Sequence, residues 1–170
     1  SSFVQGIHKY REAPEDALIP GIMHPVLGDY HIGDIEVVAA FDVDATKVGR
    51  DVSEAISQGL NNTVKFWDVP DMGVTVQRGM THDGIGKYLS QVIEKAPDPK
   101  ADMPAVSDIL RDREVDVLIN YLPVGSEEAT KWYMEQALAA KVGVVNCIPV
   151  FIAREPYWQR RFKDAGVPIV

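Results

Sequence analysis

The chain has 170 residues, 46% hydrophobic and 25% charged, as fits one globular domain with a sizeable core. Its formal net charge of −8 argues against a broad nucleic-acid or anionic-membrane surface, while leaving room for a local basic pocket. One cysteine, Cys147, allows no intrachain disulfide and fits a reducing cytoplasm; no apolar run reaches membrane-spanning length and no signal-peptide pattern opens the chain.

Phe3, Val4, Ile7 and Tyr10 recur at helical spacing, so a helix is expected at the start. Residues 11–34, punctuated by Pro14, Pro20, Gly21, Pro25, Gly28 and Gly33, read as irregular. Ile35 to Phe41 reads as a buried strand and Asp44 to Ile56 as a short helical region. Thr63 to Trp67 and Val74 to Gln77 read as short strands across the turn Pro70-Asp71-Met72-Gly73. Asp83 to Glu94 suits a helix. Ala96 to Pro104 is a proline-rich surface loop. Ala105 to Arg113 is helical, Val115 to Asn120 a strand, and Ser126 to Ala140 an amphipathic helix through Ala129, Trp132, Tyr133, Ala137 and Ala140. Val142 to Cys147 is the next strand, Pro156 to Ala165 a helix stopped by Gly166, and Val167 to Val170 the start of another strand.

Strands and helices alternate through the second half. Apolar strands without clean two-residue alternation fit a parallel sheet covered on both faces. Right-handed crossovers then give an α/β fold, a Rossmann-like doubly wound parallel sheet. Both ends fall inside elements, so residues 1–170 are expected to form one domain, incomplete at both ends and part of a larger enzyme.

Asp42 and Asp44 follow the strand ending at Phe41. An acid there accepts hydrogen bonds from an adenosine ribose and repels a 2′-phosphate, which favours NAD over NADP. The alternative is a pair of turn and helix-cap acids, Asp44 being a good cap. Lys47 and Arg50 lie nearby and weaken the cofactor preference. No Gly-x-Gly-x-x-Gly or Walker sequence follows any strand. Asp83-Gly84-Ile85-Gly86-Lys87 has no strand immediately before it and reads as a helix start rather than a phosphate cradle. A bound pyrophosphate would then meet a turn before Ser1 and the amino end of the first helix.

The run from Asp116 to Glu128 is an apolar strand, a Pro/Gly turn and a helix opening at Ser126. Ser126 caps that helix, and Glu127 and Glu128 favour its positive end while opposing a phosphate there. Tyr121, Pro123 and Ser126 therefore line the nicotinamide side through backbone and apolar contacts, unless this is a plain strand–helix connection. His8, His24, His31 and His82 lack metal spacing, although His24 and His31 share a loop with Asp29 and Tyr30; no metal site is expected. Cys147 reads as a core thiol and the three tryptophans as packing residues.

Several stretches carry a family resemblance. They include Pro20-Gly21-Ile22-Met23-His24, Gly28-Asp29-Tyr30-His31, Ala39-Ala40-Phe41-Asp42-Val43-Asp44, Asn61-Asn62-Thr63, Val76-Gln77-Arg78-Gly79, Asp83-Gly84-Ile85-Gly86-Lys87-Tyr88 and Tyr121-Leu122-Pro123-Val124-Gly125-Ser126-Glu127-Glu128. In this order the chain resembles the bacterial and archaeal branch of myo-inositol-1-phosphate synthase, or inositol-3-phosphate synthase. The resemblance implies an NAD-binding Rossmann-like domain. It also implies conversion of D-glucose 6-phosphate to 1L-myo-inositol 1-phosphate by oxidation, enolisation, intramolecular aldol cyclisation and reduction, in a cytoplasmic homotetramer. It carries over Asp51, Arg113 and Tyr133 as NAD-contact positions, with Arg113 departing from some relatives. It places the catalytic lysines beyond Val170 and the glycine loop before Ser1, so the segment alone is expected to be inactive. Rival readings are another NAD-dependent sugar oxidoreductase and a non-catalytic nucleotide-binding module.

Overall fold

The computed structural model describes residues 1–60, 62–100 and 102–170; Asn61, part of one motif above, lies outside them. Helix α1, Ser2–Tyr10, buries Val4, Gln5 and Ile7 on one face, as the spacing requires. The irregular stretch after it contains a small hairpin. Strands β1 (Val26–Leu27) and β2 (Tyr30–His31) pair antiparallel around Gly28, whose φ of +63° glycine adopts without strain. His31 is a structural residue here. Its ring accepts from the Gly33 N–H and meets the Ala13 carbonyl at 2.9 Å, while Asp34 accepts from its backbone.

The strand expected at Ile35–Phe41 is shorter and ends one residue later. Strand β3 is Ala40–Asp42, paired in parallel with β4, Val76–Arg78. A ladder runs only as far as its partner, and β4 supplies three residues. The helix expected from Asp44 shrinks to α2, Val52–Ala55, capped by Asp51. Thr63–Trp67 does not join a sheet. The carboxamide of the buried Gln5 serves it instead, accepting from Phe66 N–H at 2.8 Å and Trp67 N–H at 3.1 Å. Asp83–Glu94 forms turns and one 3-10 turn, Leu89–Gln91, rather than an α-helix. Gly84 and Gly86 each cost a helix about 1 kcal/mol relative to alanine.

The second half follows its sequence pattern closely. It contains α3 (Val106–Asp112), β5 (Val117–Asn120), α4 (Glu127–Ala140), β6 (Gly143–Asn146) and α5 (Pro156–Ala165). Gly166 ends α5 in the left-handed conformation, φ +73°. Strands β5 and β6 are parallel, and Ile169 bridges Val144 in parallel on the other side. The fold is thus α/β with parallel pairing. The described strands form two parallel pairs and a hairpin rather than one uninterrupted sheet.

The main core lies between α3, α4, α5 and the β5–β6 pair: Leu110, Met134, Ala137, Val142, Val144, Ile152 and Phe162 are nearly inaccessible. Each fully buried aliphatic or Phe side chain contributes about 1.5–3 kcal/mol. A smaller cluster of Val4, Val52, Ala55 and Val76 fastens α1 and α2 to β4. Among the described residues no helix is long and apolar enough to cross a membrane.

Candidate functional site

Open α/β folds receive ligands at the carboxyl ends of their parallel strands. Those ends are Asp42 and Arg78 in one pair and Asn120 and Asn146 in the other. Several contacts bring them together. Phe41 packs on Tyr133 of α4, ring centroids 6.3 Å apart. The loop after β4 reaches α4, where Asp83 accepts from the N–H groups of Glu128 and Ala129, each at 2.9 Å. On the α1 side, Phe3 lies 6.3 Å from the ring of Tyr121. The amino end of α1 therefore adjoins the Tyr121 strand end.

Asp42 is well held for accepting a diol. Its Oδ1 accepts from the N–H groups of Val43 (2.7 Å) and Asp44 (3.0 Å), which fixes the carboxylate. Its Oδ2 faces Lys47 Nζ at 3.3 Å, and 33% of the side chain remains exposed. Asp44 fixes a turn, while the helix cap falls to Asp51. Asp44 is 4% exposed, and its Oδ1 accepts from Thr46 N–H and Oγ.

Asp51 and Arg113 stand away from this edge. The Asp51 carboxylate accepts from Ser53 N–H, Ser53 Oγ, Met72 N–H and Val74 N–H, beside the approach to β4 rather than its exit. Burial alone would raise its pKa; these donors outweigh it and hold the group below its ordinary 3.8. Arg113 is exposed at the carboxyl end of α3, before β5 begins, on the side opposite Tyr121.

Tyr121 and Pro123 are exposed at the exit of β5. Burial, then the adjoining Cys147, raise the Tyr121 phenol pKa. Cys147 is exposed rather than in the core, because it stands one residue past β6, where the chain leaves the packed sheet. Ser126 is buried, but its hydroxyl donates back to the Pro123 carbonyl at 2.6 Å. The side-chain cap of α4 comes from Asp83 instead, so no anion need occupy that helix end. Tyr133 is 7% exposed, and a Cβ on Gly79 would fall on its hydroxyl. Burial, followed by the charge of Asp42, pushes its pKa up to about 12, against Arg78 and the Met80 N–H. It supports the strand ends from beneath.

Arg78 is also buried. Its guanidinium donates to the Ala96 carbonyl, Thr81 Oγ and Asp98, fastening the loop that follows β4. Sequence reasoning passed over Arg78, Asp83, Asn120 and Asn146. A polar residue closing an apolar strand, as both asparagines do, was the available signal. No metal-binding group of three or more His, Cys, Asp or Glu occurs among the described residues.

No family model matches the chain. Across all its residues it is 55% identical to inositol-3-phosphate synthase of Mycolicibacterium smegmatis, 52% to that of Mycobacterium tuberculosis strain CDC 1551 and 48% to that of Corynebacterium glutamicum. In each case it covers 46% of the relative, so the chain spans about half the length of the curated relatives it matches. Among solved structures it resembles the crystal structure of Ari2, with a TM-score of 0.80 and 33% identity over 99% of this chain and 47% of that one. Along its entire length the chain is thus similar to about half of each of these inositol-3-phosphate synthases.

Proposed function

We propose that this chain supplies much of the NAD site of an inositol-3-phosphate synthase, an enzyme turning D-glucose 6-phosphate into 1L-myo-inositol 1-phosphate. One observation carries the reading: Phe3, at the amino end of α1, packs beside Tyr121 at the carboxyl end of β5, while Asp42 closes β3 at the carboxyl end of the other parallel pair. The first turn of α1 holds no acidic residue, so its N–H groups and dipole suit a pyrophosphate. Asp42, locked by two backbone donors, offers Oδ2 to the adenosine ribose. Tyr121 and Pro123 give the nicotinamide end an exposed apolar wall, with Ser126 holding the turn from inside. Asp44 fixes the turn after β3 and Tyr133 packs against Phe41, while Asp51 and Arg113 stand at the other end of their strands.

Bound NAD would accept a hydride in the opening oxidation and return it in the closing reduction, so no net NADH forms. This chain's part is to bind and orient the cofactor. The groups that enolise the sugar and hold its phosphate are proposed to come from the rest of the synthase, in a cytoplasmic homotetramer without nucleic-acid or membrane partners.

The test is an end-point assay for inositol phosphate from glucose 6-phosphate and NAD, using the 170-residue chain and, separately, a full-length protein containing it. Product from the full-length protein alone, without NADH accumulation, is expected. Net NADH would point to a sugar dehydrogenase, and turnover by the segment would overturn the division of labour.

A further inference from the structure

Asn120 and Asn146 stand opposite each other as the last registered pair of the β5–β6 ladder. Both side chains turn towards the loops that leave the sheet. Asn146 Nδ2 donates to the carbonyls of Ile148 (3.2 Å) and Val150 (2.8 Å). Those two acceptors require its nitrogen, so its oxygen must face the other way, towards Asn120. Asn120 Nδ2 meets that oxygen at 2.9 Å, which leaves Asn120 Oδ1 to accept from Leu122 N–H at 3.0 Å. The orientation of each amide thus dictates that of the other. One directed chain of hydrogen bonds runs from the Ile148–Val150 turn to the Tyr121–Gly125 turn. Asn120 is 5% exposed, and a buried amide left unpaired is costly, which makes the arrangement all-or-none.

We propose that Asn120 and Asn146 are paired positioning residues that hold both turns as a single unit under the nicotinamide end of the cofactor. The cofactor part rests on the reading above; the coupling of the turns does not. The pair has a specific consequence. Asn120→Asp keeps the acceptor for Leu122 but presents a carboxylate to Asn146 Oδ1. The Asn146 amide then reverses and turns its oxygen on the Ile148 and Val150 carbonyls. A substitution at Asn120 should therefore loosen a turn on the neighbouring strand by way of Asn146.

The experiment measures backbone hydrogen exchange over Cys147–Phe151 and NAD affinity in the full-length protein. The variants are Asn120→Asp, Asn146→Asp and the double variant, with Thr130→Val as a control. Thr130 accepts a separate bond from Asn120 at 3.2 Å and lies outside the chain between the turns. Asn120→Asp should speed exchange at Val150 and weaken NAD binding about tenfold or more. The double variant should be little worse than either single one, since all three break the same chain. Thr130→Val should leave exchange at Val150 unchanged. Unaltered exchange at Val150 in folded Asn120→Asp, or strictly additive effects, would overturn the coupling. Faster exchange with unchanged NAD affinity would overturn the role in cofactor positioning. Failure of the unmodified protein to bind NAD would instead count against the function proposed above.

Discussion

The carboxylate of Asp83 accepts from the backbone N–H of Glu128 at 2.9 Å, bridging the loop after β4 to the first turn of α4. Its second oxygen accepts from Ala129 N–H, so a residue distant in sequence does what an N-cap side chain normally does. Ser126, at the cap position, has its hydroxyl turned back to Pro123. The helix and the loop therefore depend on each other.

Removing that carboxylate tests the dependence. Asp83→Ala should lower stability by about 1–2 kcal/mol, and Asp83→Asn by less, in thermal or urea melts. Burial alone would raise the Asp83 pKa; the Glu128 and Ala129 N–H groups prevail and hold it below its ordinary 3.8. A depressed folded value means that this contribution is present above 3.8 and fades as pH falls through the lower folded value. The difference between the native protein and Asp83→Ala should thus shrink only in acid.

Tyr133 gives the opposite sign. Its pKa, raised from 10 to about 12, stabilises the fold fully below pH 10 and is lost as pH rises towards 12. Ultraviolet titration should show a late tyrosine step near pH 12, and Tyr133→Phe should abolish it. An unchanged late step would mean the group lies elsewhere.

Gly79→Ala should be severe because the new methyl meets the Tyr133 hydroxyl and approaches Phe41 Cβ to 3.4 Å. A loss of about 1–3 kcal/mol is expected from overpacking. Combining it with Tyr133→Phe removes the hydroxyl and should restore part of the melting temperature. No restoration would show that the backbone, not the tyrosine, limits the site.

Lys141 ends α4 with φ +58° and ψ +45°, a left-handed conformation that a side chain resists. Its N–H still meets the Ala137 and Leu138 carbonyls, so the geometry serves the cap. Lys141→Gly should raise stability by roughly 1 kcal/mol, read as a higher urea midpoint at unchanged slope.

Cofactor choice can be read from titrations with NAD and NADP. NAD should bind more tightly through Asp42, and Asp42→Ala should cost NAD about tenfold. Lys47→Ala should sharpen the preference by removing the nearby cation from Asp42 Oδ2. Equal or tighter NADP binding by the unmodified protein would give control of that pocket to Lys47 or Arg50.

Sequence pattern was most informative where burial alone decides structure. The helices at 106–112, 127–140 and 156–165 bury the core of the second half, and their expected positions agree to within a residue. It was least informative where one distant side chain settles the matter. Nothing local reveals that Gln5 will hold the Phe66 and Trp67 backbone without a sheet, or that Asp83 will leave its own segment to cap α4. The proposed site divides the same way. Asp42 and Tyr121 stand at strand exits visible in the sequence, whereas Asp51 and Arg113 came from resemblance and stand at the other end of their strands.

The two parallel pairs also bear on how the chain reaches this structure. Each closes over one crossover, from Asp42 to Val76 and from Asn120 to Gly143, a modest loop-closure cost, and neither ladder shares a rung with the other. Each can therefore assemble as its own cooperative unit. The Asp83 cap and the Phe41–Tyr133 contact then join two nearly finished halves. Weakening that joint should split a single unfolding transition into two, with the half containing α4 and the larger core the last to melt.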